Sequence, residues 1–219
     1  MMNTRTEVEQ CIRDSRVIAI IRGMEPDICL HLAEAYLAGG IRAVEVTYVQ
    51  TDRNLWQKTV TAIRTIKDRF AGEMHVGAGT VLTREQLEMT RDAGGEFMVA
   101  PNVNADLIRA CGDLDMASFP GALTPSEAVT AWEAGASMVK VFPAGSMGAG
   151  YVKALKAPLA HIPMLGVGGI TVDNAADFIK AGCAGVAVSG ALTNRDMIAA
   201  GQWDRITAVA RALIEKVRT

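Results

Sequence analysis

Short apolar runs rich in Val, Ile and Ala alternate along this chain with longer stretches whose apolar residues recur at helical spacing. The runs predict strands at 17–22, 42–47, 74–79, 97–101, 116–119, 137–143, 163–167 and 185–189. Helical patterns occupy 27–38, 52–69, 84–93, 126–134, 150–157, 172–181 and 203–217. Thr124 and Pro125 open one of them with a candidate cap and a proline at the first helical position. AGGIRAVEV, AGGEFMVAP, AGASMVKVFP and AGCAGVAVSG each join a helix end to a strand, forming a weak internal repeat. Their landmarks Gly39, Gly94, Gly135 and Gly182 stand 55, 41 and 47 residues apart, which fits two strand–helix units per step and eight in all. Glycine is the usual left-handed stop of a helix, so the repeat alone also has a purely local explanation. The whole chain, residues 1–219, reads as one α/β domain: a single (β/α)8 TIM barrel with residues 1–15 as an extra N-terminal helix capping its bottom. A doubly wound open sheet is the competing arrangement.

Polar residues inside the apolar runs carry the candidate chemistry. Lys140 interrupts SMVKVFPA, and strand alternation puts Met138, Lys140 and Phe142 on one face and Val139 and Val141 on the other. The valines suit the helix-facing layer, so Lys140 points into the barrel near the C-terminal end of its strand, where barrel active sites collect. Desolvation there lowers a lysine pKa and leaves a neutral amine that attacks carbonyl carbon. RAVEVTY repeats the anomaly, with Ala43, Glu45 and Thr47 inward. A carboxylate beside that amine serves as an ion-pair partner, as a proton shuttle, or as both. Arg22 ends the first strand with a planar fork suited to a carboxylate. In VGAGTV, Gly77 and Gly79 let a substrate approach the backbone and Thr80 offers a hydroxyl. GVGGIT (166–171) and VSGA (188–191) follow strands seven and eight, whose loops in barrels form phosphate sites from backbone N–H groups. Tight turns alone account for the same glycines.

Composition narrows the partners. Half of the 219 residues are apolar and aromatics are only 5%, which suits glycine-closed α/β units rather than an aromatic-rich sandwich. A net charge of −2 without a Lys/Arg cluster gives no support for nucleic-acid binding, so a phosphorylated substrate needs a local site. Cys11, Cys29, Cys111 and Cys183 are scattered and read as reduced core thiols of a cytoplasmic protein. The N-terminal stretch lacks a signal-peptide core, and no run approaches membrane-spanning length. His31, His75 and His161 lack metal-site spacing, and no Walker A or dinucleotide fingerprint follows a first strand.

With VEVT, GAGTV, APN, KVFPA, GGI and VSG in this order, the chain resembles the family of 2-keto-3-deoxy-6-phosphogluconate (KDPG) and 4-hydroxy-2-oxoglutarate (KHG) aldolases over nearly its whole length. The resemblance implies a Schiff-base lysine at Lys140 and an acid/base glutamate at Glu45. It also implies pyruvate-pocket residues at Thr80, Pro101 and Phe142 and phosphate loops at Gly168, Gly169, Ser189 and Gly190. A homotrimer without cofactor or metal is implied as well. Many members carry an arginine two residues beyond EVT, where this chain has Val49; other branches end strand one in arginine, so the carboxylate role passes to Arg22, with Arg53 a second option. The common T-G-G-I/V reads V-G-G-I, with Val167 for threonine, which is similar to the galactonate-derived (KDPGal) branch. The implied activity is class I cleavage of a 2-keto-3-deoxy-6-phospho sugar acid, KDPG or KDPGal, to pyruvate and glyceraldehyde 3-phosphate. Cleavage of 4-hydroxy-2-oxoglutarate to pyruvate and glyoxylate is a further possibility under it. The same barrel also admits a phosphosugar isomerase or epimerase with Lys140 merely ion-paired to Glu45, or a non-catalytic phosphosugar-binding protein.

Overall fold

The computed structural model describes residues 3–218. Its parallel strands are β1 (Val17–Arg22), β2 (Ala43–Thr47), β3 (His75–Gly79), β4 (Phe97–Val99), β5 (Ala117–Phe119), β6 (Gly121–Ala122), β7 (Val139–Val141), β8 (Met164–Val167) and β9 (Gly185–Val188). Helices α1 (Thr4–Ser15), α2 (Pro26–Ala38), α3 (Trp56–Arg69), α4 (Arg84–Asp92), α5 (Ala105–Asp113) and α6 (Pro125–Glu133) are followed by α7 (Ala144–Met147), α8 (Ala149–Lys156), α9 (Ala175–Lys180), α10 (Arg195–Ala199) and α11 (Trp203–Arg218).

The sheet runs β5-β4-β3-β2-β1-β9-β8-β7-β6. Its two ends, β5 and β6, are halves of one strand parted only by Pro120, so the ring closes through that strand. Proline has no N–H for the ladder, yet its carbonyl still accepts the Lys140 N–H at 2.9 Å. The expected end at residue 119 therefore moves to Ala122, and the open-sheet alternative falls away. Eight strands stand in the ring, as the repeat spacing implies.

Alternation divides the side chains into two layers. Ala19, Val44, Val46, Val76, Val139 and Val141 face outward against the helices. Ile18, Ile20, Ala43, Phe97, Phe119, Met138, Leu165 and Val167 fill the barrel. Helix α1 closes the bottom: its Val8 and Ile12 are fully buried in that inner layer, and the Asn3 side chain caps it by accepting the Thr6 N–H at 3.0 Å.

Two sequence expectations need adjustment. Gly94, Gly135 and Gly182 are the left-handed stops the repeat calls for, but in its first copy Gly40 (φ 94°) takes that conformation. Gly39 is needed for contact instead, because a Cβ there would stand 2.5 Å from Ala210 Cβ and jam α2 against α11. Secondly, α5 lies where the apolar pattern names no helix; the Asn104 side chain starts it by accepting the Leu107 N–H at 3.1 Å. All four cysteines are free, and burial pushes the Cys29, Cys111 and Cys183 thiols up to about 12, which suits inert packing. Among the described residues no helix is long and apolar enough to cross a membrane.

Because Ile12 has no exposed surface, Ile12→Ala should lower stability by about 2–5 kcal/mol. Urea titration reads this as a lower midpoint at unchanged slope. An unshifted midpoint would show that α1 does not seal the barrel.

Candidate active site

Lys140 sits in the middle of β7, with Val139 and Val141 anchored outward. Its side chain therefore has no direction but inward. The residue is 8% exposed, and Nζ lies 4.7 Å from the centroid of the Phe142 ring. Burial pushes the ammonium pKa below its ordinary value; Glu45 opposes that shift and Arg22 adds to it.

Glu45 occupies the inward position of β2 and is 2% exposed. Burial raises its pKa, against the pull of Lys140, of the Thr47 hydrogen bond and of Arg22. Thr47 Oγ1 donates to Glu45 Oε1 at 3.0 Å, while Oε2 is buried with no hydrogen-bond partner. Parallel register sets Glu45 beside Gly77 and Thr47 beside Gly79. A Cβ on Gly79 would fall 1.6 Å from Glu45 Oε1, and one on Gly77 would fall 2.4 Å from the Phe97 ring. Those glycines thus make room for a carboxylate and an aromatic ring, not for the close approach of a substrate that the motif led us to expect. Among the described residues Lys140 forms no ion pair or hydrogen bond with Glu45. The two groups feel each other's charge without neutralising it by contact.

A cavity of about 580 Å³ brings most of the expected residues together: Arg22, Glu45, Lys140, Phe142, Gly168, Gly169, Ser189 and Gly190 all line it. Ile20, Val167, Ile170 and Ala187 form its apolar wall, and Thr171 and Ala191 complete it. Gly168 and Gly169 adopt left-handed φ of 87° and 72°, backbone that only glycine enters without strain. Arg22 has no carboxylate partner among the described residues, so its guanidinium is open to a ligand.

Thr80 and Pro101 lie outside this lining. Thr80 follows β3 with φ 55°, and its carbonyl accepts Gln50 Nε2 at 2.6 Å; Pro101 sits exposed on the rim after β4. Arg53 is committed elsewhere, to Glu85 and over the Trp56 ring at 5.5 Å, which removes it as a stand-in at the carboxylate. A second hollow of about 640 Å³ lies at the opposite end of the barrel. Lys67 and His75 there both contact Glu96, at 2.8 and 3.2 Å, so that carboxylate is already engaged within the protein. Sequence reasoning missed Thr171 and the clamp that Thr47 puts on Glu45. The i, i+3 pairing of Thr171 with Asn174 was the available signal for the first.

Gly79→Ala should displace the Glu45 carboxylate, and any proton transfer that depends on that carboxylate, worth about 10²- to 10⁴-fold in turnover, should be lost with it. Unchanged kcat in that variant would show that the carboxylate is not held where the structure puts it.

The model of the family described as KDPG and KHG aldolase matches residues 8–209. Over 201 residues, 91% of this chain and 93% of the relative, 37% of positions are identical to 2-dehydro-3-deoxy-6-phosphogalactonate aldolase of Escherichia coli strain K12. A solved structure described as native KDPGal shares 36% identity and a TM-score of 0.82, covering 92% of this chain and 94% of its own. KDPG aldolase from Legionella pneumophila, solved with pyruvate captured at low pH as a covalent carbinolamine intermediate, shares 26% identity and a TM-score of 0.81 over 94% of this chain and 97% of that one. Likeness of this extent, in a closed barrel with an inward lysine beside a glutamate, means that the chain belongs to the KDPG and KHG aldolase family of carbon–carbon lyases.

Proposed function

We propose that this protein is a class I aldolase that cleaves a 2-keto-3-deoxy-6-phospho sugar acid, KDPG or KDPGal, reversibly to pyruvate and glyceraldehyde 3-phosphate. The observation that carries the proposal is a desolvated Lys140 amine, free of any close ion pair, facing one cavity with the unpartnered Oε2 of Glu45. A lysine serving only as a counter-ion, as the isomerase alternative requires, would make that pair.

Neutral Lys140 Nζ attacks the C2 carbonyl, and loss of water gives a protonated imine. Glu45 takes the C4 hydroxyl proton, directly or through water, as the C3–C4 bond breaks. The bonding pair flows into the imine, leaving an enamine, and the aldehyde departs. Protonation of the enamine at C3 and hydrolysis of the imine then return pyruvate and the free amine. Its raised pKa equips Glu45 to hold a proton between these steps. In this reading Arg22 holds the carboxylate, Phe142 walls the pyruvate end, and Gly168, Gly169, Ser189 and Gly190 take the phosphate, while Thr80 and Pro101 stand outside the cavity lining. The galactonate-type relative and the apolar Val167 support KDPGal among the candidate substrates; cleavage of 4-hydroxy-2-oxoglutarate to pyruvate and glyoxylate fits the same chemistry. Family resemblance supports a homotrimer in the cytoplasm, working without a cofactor.

Treatment with pyruvate and borohydride should trap a reduced adduct that peptide mapping places on Lys140, and Lys140→Ala should lose several orders of magnitude in kcat/KM. Wild-type protein left unmodified would overturn the proposal. The pH dependence follows the amine: kcat/KM rises with pH as Lys140 loses its proton, and that limb should lie below the ordinary lysine value of 10.5 because burial disfavours the charge. Removing the neighbouring positive charge in Arg22→Ala should move the limb upward. A wild-type limb at or above pH 10.5 would contradict a buried nucleophile.

A further inference from the structure

Where β8 ends, the loop of residues 168–174 turns its backbone in a definite direction. The Gly168 carbonyl accepts the Gly145 N–H at 2.7 Å, and the Gly169 carbonyl accepts Asn174 Nδ2 at 3.0 Å. Both acceptors are thereby committed to bonds within the protein. Among the described residues, no acceptor pairs with the N–H groups of Gly169 or Ile170. Two donors are thus left over beside the cavity, while the carbonyls that would repel an anion are occupied.

Asn174 also clasps Thr171. Its Oδ1 accepts the Thr171 N–H at 2.8 Å, and its own N–H donates to Thr171 Oγ1 at 3.3 Å. The Thr171 oxygen is therefore used as an acceptor, and the hydroxyl proton stays free to donate. Thr171 lines the cavity with Gly168 and Gly169, and so do Ser189 and Gly190 from the loop after the paired strand β9. Neither loop, 168–174 or 189–194, carries a lysine or arginine of its own, so what the loops themselves offer an anion is dipoles.

We infer that Thr171 is an additional binding residue for the phosphoryl end of the substrate and that Asn174 is its positioning residue, an inference that rests on the aldolase reading above. The Thr171 hydroxyl donates to a phosphoryl oxygen alongside the loop N–H groups, a charge-assisted bond stronger than one between neutral partners. Asn174 touches no ligand. It acts by holding the Gly169 carbonyl away from the anion and by fixing the oxygen of the hydroxyl that binds it. A turn that merely ended the strand would use the same clasp but would be indifferent to phosphate.

Three variants separate these cases: Thr171→Val, which removes the hydroxyl; Thr171→Ser, which restores it; and Asn174→Ala, which releases the clasp. Thermal unfolding is followed with inorganic phosphate and with sodium chloride at matched ionic strength, since a ligand bound to the folded state raises the midpoint. Phosphate should raise the midpoint of the wild type and Thr171→Ser, and most of that rise should vanish in Thr171→Val and Asn174→Ala. In condensation of pyruvate with aldehydes, Thr171→Val should raise KM for glyceraldehyde 3-phosphate about tenfold or more, well beyond its effect with unphosphorylated glyceraldehyde. Equal phosphate shifts in all four proteins, no shift in the wild type, or equal KM changes for the two aldehydes would overturn the inference. If the wild type condenses neither aldehyde, the aldolase reading fails, and the phosphate shifts still decide the role of Thr171.

Discussion

Everything at this site depends on one amine and one carboxylate being buried at the same end of a closed ring without being allowed to touch. Each would be easier to bury if paired, because contact neutralises charge where water is absent. The barrel denies them that relief. Lys140 and Glu45 come from strands β7 and β2, which are far apart in the sheet order, and each side chain is pinned on its own wall, Glu45 by Thr47 and Lys140 over the Phe142 ring. The result is a pair of opposite pKa displacements with the same leading cause, desolvation. A neutral amine and a carboxyl able to hold a proton are what imine chemistry needs from its two participants.

Closure of the ring is what makes that desolvation possible. An open sheet would expose one face of β7 at an edge, and water would reach the lysine. Pro120 stands at the one place where closure is at risk, since it cannot donate to the ladder, yet its carbonyl bonds to the backbone of Lys140 itself. The seam of the barrel thus runs beside the reactive strand. Helix α1 completes the seal from below by adding Val8 and Ile12 to the inner layer.

Much of this was legible from alternation alone. The inward direction of Lys140 and Glu45 follows from the valines on either side of each, because a β-strand offers only two faces. A Pro–Gly pair ends an apolar run in any local reading, so the strand through Pro120 reads as shorter than it is, and only pairing partners on both sides reveal the continuation. Gly79 shows a different limit. Its sequence signal, a glycine near a strand end, says that something approaches the backbone but not what; the approaching group is Glu45, and only the register of β2 against β3 identifies it. Thr171 and Asn174 were hidden for a similar reason, since their shared role arises from a loop folded back on itself rather than from a face.

The relocation of the arginine is the last constraint to follow. At position 49 the chain carries valine, which lines a small hollow between the β1 and β2 loops rather than the main cavity. At position 22 the backbone pairs with Thr47 in the β1–β2 register, and the guanidinium acts on both buried groups, lowering the pKa of Lys140 and opposing the rise at Glu45. One charge at the rim thereby favours the free amine and the ionised carboxylate together, the protonation states that a nucleophile and a base require before substrate arrives. An incoming carboxylate that pairs with Arg22 would cancel part of that field. In the proposed mechanism the same binding event that delivers the ketone lets the Lys140 nitrogen regain its positive charge as the imine forms, which would couple substrate capture to the electron sink through a single guanidinium.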